Sequence, residues 1–121
     1  GRVLYLAVTR GNCVWRVPLL PDGSVAKVSQ FFTSYGPSGP DGLAVDAEGH
    51  LLVANPGLGY VWVLNHRAEP VQVLRGAPGS STTNLAFGGA GRTTVYVTDS
   101  THGRILRADM GAPGLPLARS R

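Results

Sequence analysis

The chain contains a single cysteine, Cys13, so it can form no internal disulfide. Cys13 lies between Asn12 and Val14 at the start of an apolar stretch, with no histidine close by in sequence. That setting predicts a small buried hydrophobe rather than a nucleophile. Runs of 18 apolar residues are missing as well, which argues against a transmembrane helix. Residues 1–10 (GRVLYLAVTR) lack the regions of a secretory leader, and a cytoplasmic setting is expected. No segment sustains an apolar period of 3.6 residues, so no helix of consequence is expected. Charge is sparse at 15%, and lysine is nearly missing: of 11 basic residues only Lys27 is not an arginine. The arginines, from Arg2 to Arg121, are scattered, so the net charge of +4 reads as a solvated surface. A nucleic-acid footprint would need clustering on one face, and no nucleic-acid or membrane partner is expected. His50, His66 and His102 fit neither an HxH nor an HExxH metal pattern and read as surface turn residues. A Gly-x-Ser-x-Gly elbow and a lysine-bearing phosphate loop are also missing.

What the chain does have is turn punctuation around short apolar runs. Its 121 residues include 17 Gly and 9 Pro, and 43% are hydrophobic. This favours an all-β architecture of short elements over a helical one. Ten runs read as strands: 3–8, 14–20, 28–32, 43–46, 51–54, 60–64, 71–74, 84–87, 95–98 and 105–108. Each is β-branched or aromatic and is bounded by Gly, Pro, Asn or Asp.

Self-similarity sets the architecture. Leu4-Tyr5-Leu6-Ala7 aligns with Leu51-Leu52-Val53-Ala54 at an offset of 47, and the same offset places Trp15 on Trp62. An offset of 44 carries Val53 to Val97, and one of 42 carries Gly42-Leu43-Ala44-Val45 to Asn84-Leu85-Ala86-Phe87. A period of about 40–50 residues holding four short strands is the signature of a propeller blade, whose two faces must each be covered by a neighbour. The expected fold is an all-β partial β-propeller of roughly two and a half to three four-stranded blades. Residues 1–36 read as a blade lacking its innermost strand, 41–76 as a complete blade, 83–110 as an incomplete one, and 111–121 as a tail. Raw blade faces and unpaired edges invite pairing. A two-fold homodimer is one route to a closed ring of six blades.

The stretch GPDGLAVDAEGHLLVANPGLGYVWVLN (Gly39–Asn65) resembles the family of senescence marker protein, gluconolactonase and luciferin-regenerating enzyme. TTNLAFGGAGRTTVYVTDSTHGRILRADM (Thr82–Met110) is similar to the family's following blade, and LYLAVTRGNCVWRVPLLPDGSV (Leu4–Val25) to the preceding one. The resemblance implies a six-bladed propeller that hydrolyses lactones with a bound divalent metal, calcium or zinc. It also implies that Asp41, in Pro40-Asp41-Gly42, is a metal ligand. The family's other ligands, a Glu and an Asn of an Asn-Gly motif, have no counterpart in this sequence.

The residues carry their own argument for Asp41. A carboxylate just ahead of an inner strand, after the Gly- and Pro-rich loop 35–40, would sit at a channel mouth. There it could hold a cation or take a proton from water. The competing reading is a cap on an Asp-Gly turn. Asp22-Gly23, also preceded by proline, reads as a hairpin turn, as does Asp46-Ala47-Glu48-Gly49 with Gly49 at positive φ. Asn55, Asn84, Asp99 and Ser100 lie near strand ends and are candidates to line the channel or to make side-chain turns. The functional expectation is a metal-dependent, lactonase-like half-domain with Asp41 as catalytic residue and metal ligand, active where an assembly restores the missing ligands. The alternative is a non-catalytic propeller fragment or interaction module.

Overall fold

The computed structural model describes residues 2–117, whose ten strands form three antiparallel sheets. The first holds β1 (Arg2–Val8), β2 (Cys13–Leu19) and β3 (Ser29–Thr33) in the order β1-β2-β3. The second holds β4 (Leu43–Val45), β5 (Leu51–Asn55), β6 (Tyr60–Leu64) and β7 (Pro70–Arg75) in chain order. The third holds β8 (Thr82–Gly88), β9 (Thr94–Asp99) and β10 (Arg104–Asp109). Each sheet is an up-and-down meander: neighbouring strands are joined by turns of four or five residues, except β2 and β3, which are joined by the longer loop 20–28. These are propeller blades, and the all-β partial propeller read from the repeat is the fold. None of the described helical turns is long and apolar enough to cross a membrane.

Alternation in the middle blade explains how the sheets stack. In β5, Leu51 and Val53 face the first blade, and with Leu64 they pack against Val14, Tyr5, Phe31 and Phe32. Leu52 and Ala54 face the other way and pack with Val61, Val63, Leu85, Val95 and Val97 of the third blade's side. The register agrees: Leu51 pairs with Leu64 and Val53 with Trp62, while Leu52 pairs with Val63 and Ala54 with Val61. A period of two with both phases apolar is what a sheet covered on both faces requires. All five residues of β5 are buried. Each fully buried Leu or Val contributes about 1.5–3 kcal/mol relative to exposure, so these two seams dominate the stability. Aromatic contacts add to the first seam: Phe32 and Trp62 centroids lie 6.0 Å apart, and Tyr5 and Phe31 5.1 Å.

The outer faces look different. On β1, Leu4 and Leu6 are each 52% exposed, and they pair with Val17 and Trp15 of β2. On the third blade the outward residues include Tyr96 and Ile105, both exposed. Cys13 is buried, as its apolar surroundings predict.

Turn chemistry follows the sequence. Asp22 Oδ1 accepts the Ser24 N–H at 2.9 Å, with Gly23 at φ +85°. Asp46 Oδ1 accepts the N–H groups of Glu48 and His50, with Gly49 at φ +87°. Beyond β10 the described residues, up to 117, do not add a fourth strand to their own blade. Residues 111–117 instead cross to the inner strand of the middle blade. There Ala47 N–H donates to the Pro113 carbonyl (2.7 Å) and Leu115 N–H to that of Val45 (3.0 Å). Gly114 donates to Arg92 O at 2.9 Å and lies on the Phe87 ring, so closely that a Cβ there would come within 2.4 Å of it. The segment ties the far ends of β4 and β8 together.

Candidate functional site

The near ends of the same two inner strands carry Asp41 and Asn84. Asp41 N–H donates to the Ala54 carbonyl (2.8 Å), and Ala54 N–H donates to that of Gly42 (2.9 Å), which extends the β4–β5 ladder up to the aspartate. Across the seam, Gly42 N–H donates to the Thr83 carbonyl (2.9 Å). Gly42 is in close contact with Asn84: a Cβ at this position would lie 2.2 Å from Asn84 Oδ1 and 2.7 Å from Asn84 Cα. Glycine is needed here for close approach of two strands rather than for a positive φ. Asp41 is exposed, and its carboxylate accepts no hydrogen bond from the described residues. The two Pro-Asp-Gly tripeptides thus part ways. Asp22 folds back on its own turn, whereas the carboxylate of Asp41, at the seam between two blades, accepts no hydrogen bond from the described residues.

The remaining candidates divide by burial. Asn84 is exposed beside Gly42. Ser100 is exposed and is held by its N–H to the Ser81 carbonyl (3.0 Å). Asn55 is fully buried, and neither Oδ1 nor Nδ2 has a hydrogen-bond partner among the described residues. Its backbone carbonyl is engaged, since Thr82 Oγ1 lies 3.1 Å from it and 2.6 Å from Tyr60 O.

Asp99 is 1% exposed and sits at the centre of a knot. Its carboxylate accepts from Ser80 Oγ (2.9 Å), Ser81 N (3.0 Å), Thr101 N (3.2 Å), His102 Nδ1 (2.7 Å) and Arg104 Nε (3.1 Å). Burial alone would raise its pKa; the bonds from His102, Ser81, Ser80 and Arg104 outweigh burial and hold it well below the usual carboxylate range. An ionised carboxylate only accepts, so His102 carries its hydrogen on Nδ1. The knot ties the entry to β8 to the β9–β10 turn. Sequence reasoning found Asp99 but not this set of partners, which come from two separate stretches of chain, residues 80–81 and 101–104. His50 is held the same way, by Asp46 at 2.8 Å.

A cleft of about 810 Å³ lies between β1, the inner strands and residues 115–117. Leu4, Tyr5, Leu43, Val45 and Phe87 line it, and neither Asp41 nor Asn84 does. With an apolar lining it offers packing surface rather than chemistry.

Comparison with known proteins gives this corner a context. The family described as SMP-30/Gluconolactonase/LRE-like region matches residues 1–110. The chain belongs to this family. Lactonase drp35 of Staphylococcus saprophyticus is 34% identical over 60% of the chain, a match that spans 24% of that protein. Among solved structures, the calcium-binding protein regucalcin of Agrobacterium tumefaciens superposes with a TM-score of 0.80 at 28% identity, covering 96% of this chain and 45% of regucalcin. A structure assigned as a gluconolactonase gives 0.79 at 28% identity, covering 95% of this chain and 37% of the other. The chain therefore spans less than half the length of each of these relatives.

Membership of a lactonase-like family raises the question of a metal. Among the described residues no group of three or more His, Cys, Asp or Glu could hold an ion. Calcium takes six to eight oxygens and zinc about four ligands, and Asp41 offers one or two. By themselves the described residues do not fit a divalent cation.

Proposed function

We propose that this chain is part of a metal-dependent lactone hydrolase, contributing Asp41 to a calcium or zinc site whose other ligands come from outside the described residues. The observation that carries this reading is the free, exposed carboxylate of Asp41 at the seam of two inner strands, where Asp22, Asp46 and Asp99 all have theirs engaged. Membership of the SMP-30/gluconolactonase/LRE-like family supports the lactone as substrate class. In the reaction, a water oxygen adds to the lactone carbonyl carbon, the ring C–O bond breaks and the ring oxygen takes up a proton, giving a hydroxy acid. An unengaged carboxylate at the mouth suits the general-base role of accepting the proton of that water.

An assembly is part of the proposal. A second copy related by a two-fold axis would cover the exposed apolar faces of the first and third blades and bring two Asp41 residues to one channel. The buried, unpaired thiol of Cys13 suits a reducing, cytoplasmic setting. The test is lactone hydrolysis by the purified protein, with its mass in solution followed by light scattering. We expect a mass about twice the 12.7 kDa of one chain, and activity abolished by EDTA and by Asp41→Asn. Activity indifferent to both would overturn the metal reading. A monomer without activity would leave a non-catalytic propeller segment.

A further inference from the structure

We propose that Asn84 is a ligand-contacting residue of the Asp41 site, presenting its carboxamide Nδ2–H groups to the carbonyl oxygen of a bound lactone. The proposal rests on the lactone reading above and deepens it. Three observations carry it, beginning with the strand itself. The β8–β9 register slips between Thr82 and Asn84: Thr82 pairs with Asp99 and Asn84 with Thr98, which leaves Thr83 as an extra residue. Such a bulge bends its strand and re-aims the side chain that follows.

Second, the bulge is held in place. Thr98 Oγ1 accepts the Asn84 N–H at 3.0 Å and lies 2.8 Å from Thr83 Oγ1 and 3.3 Å from Asn84 O. One threonine hydroxyl thus gathers the backbone around the slip. Third, the carboxamide has a defined orientation. Leu85 N–H donates to Asn84 Oδ1 at 2.9 Å, and an N–H can donate only to the oxygen of the amide. Nδ2 is therefore the free end, with two hydrogens and no acceptor among the described residues. Its side chain lies against Gly42, whose missing Cβ makes room for it, and Gly42 is the residue after Asp41.

A carboxylate and a fixed amide donor from adjacent inner strands make complementary halves of a carbonyl-binding site. The carboxylate handles the attacking water, and the amide meets the oxygen on which negative charge develops. Preorganised donors of this kind are worth about 10²–10³ in kcat where they have been removed.

The experiment uses the unmodified protein and the non-hydrolysable δ-valerolactam, followed by the side-chain amide signals in ¹H–¹⁵N NMR. Saturable shifts of the Asn84 Nδ2 signals together with the Asp41 and Gly42 backbone amides support the proposal, as does about tenfold weaker binding in Asn84→Ala, the loss expected for one good hydrogen bond. Shifts at Asp41 and Gly42 with the Asn84 side chain unmoved would overturn the role of Asn84 and leave the lactone site standing. No shift at any of the three would overturn the lactone reading and this inference with it.

Discussion

Asn84 Oδ1 lies where a side chain on Gly42 would begin, 2.2 Å from the position of its ideal Cβ. This contact sets the spacing of two inner strands and the position of both candidate site residues. It brings the strand ends that carry the aspartate and the amide together, with no hydrogen bond between the two side chains among the described residues.

Gly42→Ala should therefore disturb the seam from its centre. The added methyl meets Asn84 Cα at 2.7 Å as well as the carboxamide, so the backbone of β8 must move and a rotamer change cannot relieve it. We expect a loss of about 1–3 kcal/mol, the usual cost of overpacking, read as a lower urea midpoint. Gly111→Ala is the control. Nothing lies within 4 Å of its Cβ position, and it should stay within about 0.5 kcal/mol of the parent. Equal effects at the two sites would show that the Gly42 contact is not maintained in solution.

Acid should loosen the third blade through Asp99. Its pKa is depressed in the folded protein, because the bonds from His102, Ser81, Ser80 and Arg104 outweigh the effect of burial. In the unfolded chain it titrates at about 3.9. A depressed folded pKa means that stability from this group is complete above the unfolded value and is lost as pH falls below it towards the folded one. The urea midpoint should hold steady from pH 7 to about 5 and fall below about 4. Asp99→Asn should flatten that acid limb while lowering stability at pH 7, since a neutral amide cannot accept from all five donors. An unchanged acid limb in the variant would assign the pH dependence to other carboxylates.

Core and outer-face leucines should separate sharply. Leu52 is fully buried in the seam with the third blade, and Leu52→Ala should cost about 2–5 kcal/mol. Leu4, half exposed on the outer face of the first blade, should cost within about 0.5 kcal/mol as alanine in dilute solution. A Leu4 effect that grows with protein concentration would mark that face as one covered by a second copy.

The strands were legible because their signals are local: alternation of apolar residues, β-branching and the Gly, Asp and Pro of each turn lie within a few residues of one another. The blades were legible because the signal repeats, with Trp15 recurring as Trp62. Asp22 and Asp46 read correctly as turn residues for the same reason, since their acceptors reach N–H groups only two to four residues away. The Asp99 knot was not legible in full, because Ser80 and Ser81 reach it from nearly twenty residues upstream.

By itself, then, the amino-acid sequence determined the propeller class, the ten strands and the candidacy of Asp41. Only the tertiary structure showed that Asp41, unlike Asp22, leaves its carboxylate without a hydrogen bond from its own turn. Their local chemistry is the same; what differs is the partner, a following serine for Asp22 and a neighbouring blade for the strand entered at Asp41. The bulge at Thr83 and the crossing of residues 111–117 to the middle blade were likewise settled by packing. Both depend on contacts between strands far apart in the chain, and no short-range pattern encodes which strands will meet.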